Sequence, residues 1–105
     1  MTAFAAAIDT LFADPSLARD GLWRAGGTGE GTAARVITKK PDQVVGFGDS
    51  RAVLPTVLID VRQSEVPSPA AGDTVEIESE TFAIIATPIG DTERLIWTCE
   101  ATLQS

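Results

Sequence analysis

Residues 70–101 read AAGDTVEIESETFAIIATPIGDTERLIWTCEA, and the alternation in this stretch decides the fold. After Gly72-Asp73, Val75 and Ile77 alternate with Thr74, Glu76 and Glu78, which places the apolar pair on one face of a strand. Glu78-Ser79-Glu80-Thr81 is a short polar break, and Phe82-Ala83-Ile84-Ile85-Ala86-Thr87 supplies a second run rich in β-branched and aromatic residues. Residues 88–92, with Gly90-Asp91, form another turn cluster. A third run over residues 94–101 sets Leu95, Trp97, Cys99 and Ala101 on one side and Arg94, Thr98 and Glu100 on the other. Three adjacent short runs joined by tight turns predict an antiparallel meander.

Working outward, residues 56–62 repeat the pattern, with Val57, Ile59 and Val61 inward and Leu58, Asp60 and Arg62 outward. Residues 32–38 read as a strand with Ala34, Val36 and Thr38 on one face, and residues 21–24 as a short first strand. The glycine-rich stretch 26–31 between them lacks the lysine of a phosphate-binding loop and any dinucleotide-binding fingerprint, so it is read as a hairpin or linker loop. Residues 65–69, EVPSP, form a proline-stiffened connector into Gly72-Asp73.

The N-terminus predicts a helix over residues 2–13 that ends at Asp14-Pro15. Thr2 is the expected N-cap, alanines supply propensity, and Phe4, Ile8, Leu11 and Phe12 fall on one stripe. About three turns of helix are marginal alone in water. The stripe is therefore expected to dock, on the domain's own sheet in the first reading or on a neighbouring subunit in the second. Residues 41–54, PDQVVGFGDSRAVL, carry proline and glycine together with Val44, Val45 and Phe47, in no clear period. Two readings stay open for this long loop: a bulged hairpin with Phe47 in the core, or a functional loop that docks a partner.

The whole is expected to be one 105-residue domain of mostly β class: a small antiparallel β-sandwich or partly open barrel with an N-terminal helix and one long loop. Its expected core is Trp97, Phe82, Ile84, Val75, Ile77, Val57, Ile59 and Val61. Hydrophobic content of 44% beside 22% charged residues suits a globular chain, and no apolar run approaches the ~20 residues that span a bilayer. A signal peptide is not expected, because the N-terminus has no basic region and Asp9 interrupts its apolar stretch. One cysteine forms no internal disulfide, which suits synthesis in a cytoplasm.

The same residues argue against chemistry. With no His and no Tyr, the commonest general base and the usual Ser-His and Cys-His pairs are missing. Cys99 reads as a small core residue, and Glu76, Glu78 and Glu80 as a solvated strand face. Asp42, Asp49 and Asp60 lack the spacing of a calcium loop. No catalytic residue, cofactor or metal is expected. A net charge of −7 and a pI near 4.3 repel nucleic acid. An OB-like nucleic-acid binder is disfavoured further by only six aromatics, not interleaved with basic residues. The basic residues Arg19, Arg24, Arg35, Lys39, Lys40 and Arg51 read by default as scattered solubility charge.

The order of helix, strands and long loop, then Val61-Arg62, Glu65-Val66, Gly72-Asp73-Thr74-Val75-Glu76-Ile77 and Glu80-Thr81-Phe82, resembles the head–tail joining proteins of tailed phages. Phage lambda's small joining protein and the stopper, or head completion, proteins of long-tailed phages and gene-transfer agents are of this group. The family often carries a glycine at the hairpin turn, where this chain has Ser79-Glu80. The resemblance implies a non-enzymatic virion protein, assembled in the bacterial host cytoplasm. It would form a six-fold ring under the portal or adaptor, close the DNA-filled head and present the surface for a tail terminator or tail tube. DNA would pass through an acidic lumen without specific binding. Candidate interface residues are Val44, Val45, Phe47 and Arg51 of the loop and Phe4 and Ile8 of the helix. The alternative is a tail or baseplate β-module that binds protein partners.

Overall fold

Gly72 marks the point where the chain turns into its best-patterned hairpin. Its φ of 99° lies in a region that side-chain-bearing residues avoid, and its N–H donates to the Ile84 carbonyl. The computed structural model describes residues 3–39 and 56–104. Its elements in chain order are helix α1 (Ala3–Ala13) and strands β1 (Arg19–Arg24), β2 (Thr32–Lys39), β3 (Thr56–Arg62), β4 (Thr74–Ile77), β5 (Glu80–Ile84), β6 (Ile89–Gly90) and β7 (Ile96–Gln104). A short 3₁₀ turn, Ala25–Gly27, follows β1.

The strands close on themselves. Neighbours run β3-β2-β1-β4-β5-β7, and β7 pairs back onto β3 from Thr56↔Thr102 to Arg62↔Ile96, all antiparallel. The result is a six-stranded barrel, with β6 added to β7 at Ile89↔Thr98 and Gly90↔Trp97. The expectation of a small mostly-β sandwich or partly open barrel therefore resolves to a closed barrel. The meander is present as β4, β5 and β7, with the last strand at Ile96–Gln104, starting two residues and ending three residues later than read. Asp91 accounts for the shift. Its carboxylate accepts from the Leu95 and Ile96 N–H groups at 2.7 and 3.0 Å, so Leu95 belongs to the turn. The Ile96 N–H first, and then that of Leu95, hold the Asp91 pKa below its ordinary value.

Inward side chains fill the barrel as the alternation predicts. Val36, Ile59, Val61, Val75, Ile77, Ile84, Cys99 and Ala101 are buried, with Val57, Phe82 and Trp97 half-buried against them. Thr38, which shares the strand face of the buried Ala34 and Val36, is exposed near the end of β2. Two core members escaped the sequence reading, Trp23 on β1 and Val66 in the connector.

Helix α1 lies outside the barrel and is tied down at its C-terminal half. Phe12 is 1% exposed, beneath the Arg62 guanidinium at 5.4 Å from the ring centroid. Arg62 Nη1 reaches Asp9 at 2.9 Å and Nη2 reaches Glu65 at 3.0 Å. Arg35 Nε donates to the Phe12 carbonyl at 2.9 Å, meeting one of the acceptors that a helix end leaves over. The helix thus docks on its own sheet, but not with its whole stripe. Phe12 is buried and Ile8 half-buried, whereas Phe4 is 62% exposed and Leu11 is exposed too. The expected cap Thr2 lies outside the described residues.

The β4–β5 turn is tighter than the polar break suggested. Ile77 pairs with Glu80, so Glu78 and Ser79 alone make the loop, at φ 51° and 73°. Two positive φ values in a two-residue hairpin loop suit Asn-Gly. The double substitution Glu78→Asn, Ser79→Gly should therefore stabilise the protein by about 1 kcal/mol, read as a higher urea midpoint at unchanged slope. The Arg19–Glu78 ion pair it removes is exposed on both sides and contributes little.

Candidate functional site

Strand register sorts the molecule into two ends. One holds the β4–β5 turn, the C-terminus of β7, and Lys39 and Thr56, the residues that border the stretch 40–55. The other holds the β1–β2 loop, the β3–β4 connector, the β6–β7 turn and the first turns of α1.

At this second end Asp73 organises the loops. It is buried, and its Oδ2 accepts from Trp23 Nε1 at 3.0 Å and from the Ala70 N–H at 2.9 Å. Its Oδ1 accepts from the Gly26 N–H at 2.9 Å. One carboxylate thus joins β1, the glycine-rich loop and the entry to β4. The sequence reading took Asp73 for a turn residue only.

Beside that end, α1 and the β6–β7 turn enclose an open cleft of about 410 Å³, lined by Ile8, Asp9, Arg62, Gln63, Arg94 and Leu95 among others. Arg94 has φ 60°, a left-handed conformation that glycine or asparagine adopts more readily. Exposed apolar side chains cluster in two regions. Phe4, Leu11 and Leu17 lie on or just after the helix, while Ile85, Ile89 and Leu103 belong to the β5–β6–β7 side. Around the barrel β5 lies three strands from β2, on whose outer face Arg35 holds the helix, so the two regions face different ways.

Of the expected interface residues, Ile8 lines the cleft and Phe4 stands exposed near it. Val44, Val45, Phe47 and Arg51 lie outside the described residues. Lys39 and Thr56, which border their stretch, are at the end of the barrel away from the cleft, so the helix and loop residues do not start from one place. Among the described residues no group of three or more His, Cys, Asp or Glu is placed to hold a metal. Burial first, and then the charges of Asp60 and Asp73, push the Cys99 thiol up to about 12, so it stays protonated and inert near neutrality. No described helix is long and apolar enough to cross a membrane.

A barrel with exposed apolar regions on two sides offers surface suited to assembly. The model of the phage head–tail attachment protein family matches residues 1–101. The chain belongs to that family. A comparison with curated proteins gave no match. The attachment protein is thus a structural component of the phage particle at the head–tail junction, with head and tail components as its partners. Its barrel carries exposed apolar side chains on the helix and on the β5–β6–β7 side. The sequence carried no sign of the Arg94 cleft, because its walls come from three segments far apart in the chain, residues 5–9, 62–64 and 94–95.

Proposed function

We propose that the attachment protein assembles into a closed six-fold ring beneath the portal or its adaptor. There it closes the DNA-filled head and presents the surface to which a tail terminator or tail tube binds. The observation that carries this reading is the family match over residues 1–101. Two exposed apolar regions facing different ways support it, because a head-to-tail contact joins unlike surfaces and closes into a ring when its rotation permits. The part is structural rather than enzymatic, as the inert Cys99 and the absence of His suit. With a net charge of −7, free subunits repel one another, so the ring forms on its platform and DNA passes an acidic lumen without adhering.

In this reading residues 41–54, with Val44, Val45, Phe47 and Arg51, dock on a neighbouring protein during assembly. Gly46 and Gly48 flank Phe47 in the sequence and give its backbone freedom to fit a partner. Particles made without the attachment protein should yield heads that lose DNA and accept no tails. Phe47→Ala should reproduce the tail defect while the Tm of the free protein stays within about 2 °C of wild type. Full tail joining by heads that lack the protein would reject the assignment. A Phe47→Ala chain that no longer folds would place Phe47 in the core instead.

A further inference from the structure

Six cations lie among the described residues, and five are consumed within the fold. Arg19 pairs with Glu78, Arg24 with Glu76, Arg35 with Asp20, Lys39 with Asp60, and Arg62 with Asp9 and Glu65, all within 3.2 Å. Arg94 alone has no carboxylate partner among the described residues. It is exposed at the cleft beside Ile8 and Leu95, and it occupies a φ of 60° where glycine or asparagine fits with less strain. A strained position that keeps a charged side chain invites a functional reason.

The complementary surface lies on the other exposed apolar region. Glu100 points outward from β7 and has no ion-pair or hydrogen-bond partner among the described residues. Ile85 lies across from it, and Ile89 two residues away along the same side of β7. The Ile85 N–H donates to the Glu100 carbonyl, Ile89 pairs with Thr98, and Ile89 is 72% exposed. Glu30, Glu80 and Glu93 also have no side-chain partner among the described residues, but Glu100 is the one beside two exposed isoleucines. Chains that each carry −7 repel, so a contact between copies needs opposite charges facing each other.

We propose that Arg94 is the socket for Glu100 of a neighbouring copy, with that copy's Ile85 and Ile89 packing against Ile8 and Leu95. This rests on the ring reading given above. It makes the subunit contact head-to-tail, as ring closure requires.

The test uses infectious particles carrying Arg94→Glu, Glu100→Arg or both. Each single reversal should lower the yield of tailed particles about 100-fold, and the double reversal should restore it to within about threefold of wild type. All three chains should keep the wild-type Tm, since both positions are exposed. In parallel, purified particles carrying Arg94→Cys and Glu100→Cys are oxidised and run without reductant, while electron microscopy images the wild-type junction. The buried, protonated Cys99 stays silent in this assay. A ladder of disulfide-linked multimers supports the contact. A ring in the images without a ladder, or single reversals with wild-type yield, overturns the contact and leaves the ring standing. Images without a ring overturn both.

Discussion

Asp73→Ala should lower the stability of the attachment protein by about 3 kcal/mol, a fall in Tm of about 12–20 °C for a domain of this size. The carboxylate accepts three N–H donors, and one of them, Trp23 Nε1, is buried with its side chain. Truncation leaves that indole without a partner, and each orphaned buried donor costs about 1–3 kcal/mol. The Gly26 and Ala70 N–H groups lie on exposed residues and find water in part, which keeps the total below three full penalties. Asp73→Asn is the informative companion. Its amide can accept at the Oδ2 position but turns a donor toward the Gly26 N–H, so about half the loss should remain. Urea unfolding measures both, and an Asp73→Ala chain within 1 kcal/mol of wild type would show that this carboxylate does not hold the loops together.

The second large effect is at Trp97. Its ring is half-buried against the core, and a Cβ at Gly90 would stand 3.1 Å from its Cζ3. Trp97→Ala removes that packing and should cost about 3 kcal/mol. Trp97→Phe should cost under about 1 kcal/mol, because the Trp97 Nε1 is buried without a partner and its removal offsets lost contact area. Trp23→Phe, by contrast, leaves an Asp73 oxygen short of a donor and should cost about 2 kcal/mol. Equal losses for the two phenylalanine variants would contradict the difference in hydrogen bonding between the two indoles.

What the sequence displayed was local, and what it hid was long-range. The strands at Val57-Ile59-Val61 and Val75-Ile77 were legible because period-two alternation needs only neighbours. The Glu78-Ser79 turn was legible as a break, although its length depended on the Ile77↔Glu80 register. Trp23 was missed because a four-residue run holding Leu22 beside it gives no phase to read. Asp73 looked like turn chemistry, since its Trp23 partner is fifty residues away in the chain. The helix stripe was correct in spacing, but only the barrel's outer charges, Arg35 and Arg62, determine which part of it is covered. Of the candidate interface, Phe4 and Ile8 were visible through that stripe, whereas Arg94 and Glu100 acquire meaning only once β6 and β7 are folded together.

Closure of the barrel bears on how the subunit waits. An open sheet offers a row of bare N–H and C=O groups, and copies crowded in an infected cell can zip together through it. Here the β3–β7 pairing uses up that row, and among the described residues the sheet ends in a strand of only two residues, Ile89–Gly90. The described residues therefore leave almost no bare backbone through which copies can stick indiscriminately. Among the described residues, contacts between molecules fall to side chains, where shape and charge discriminate between partners.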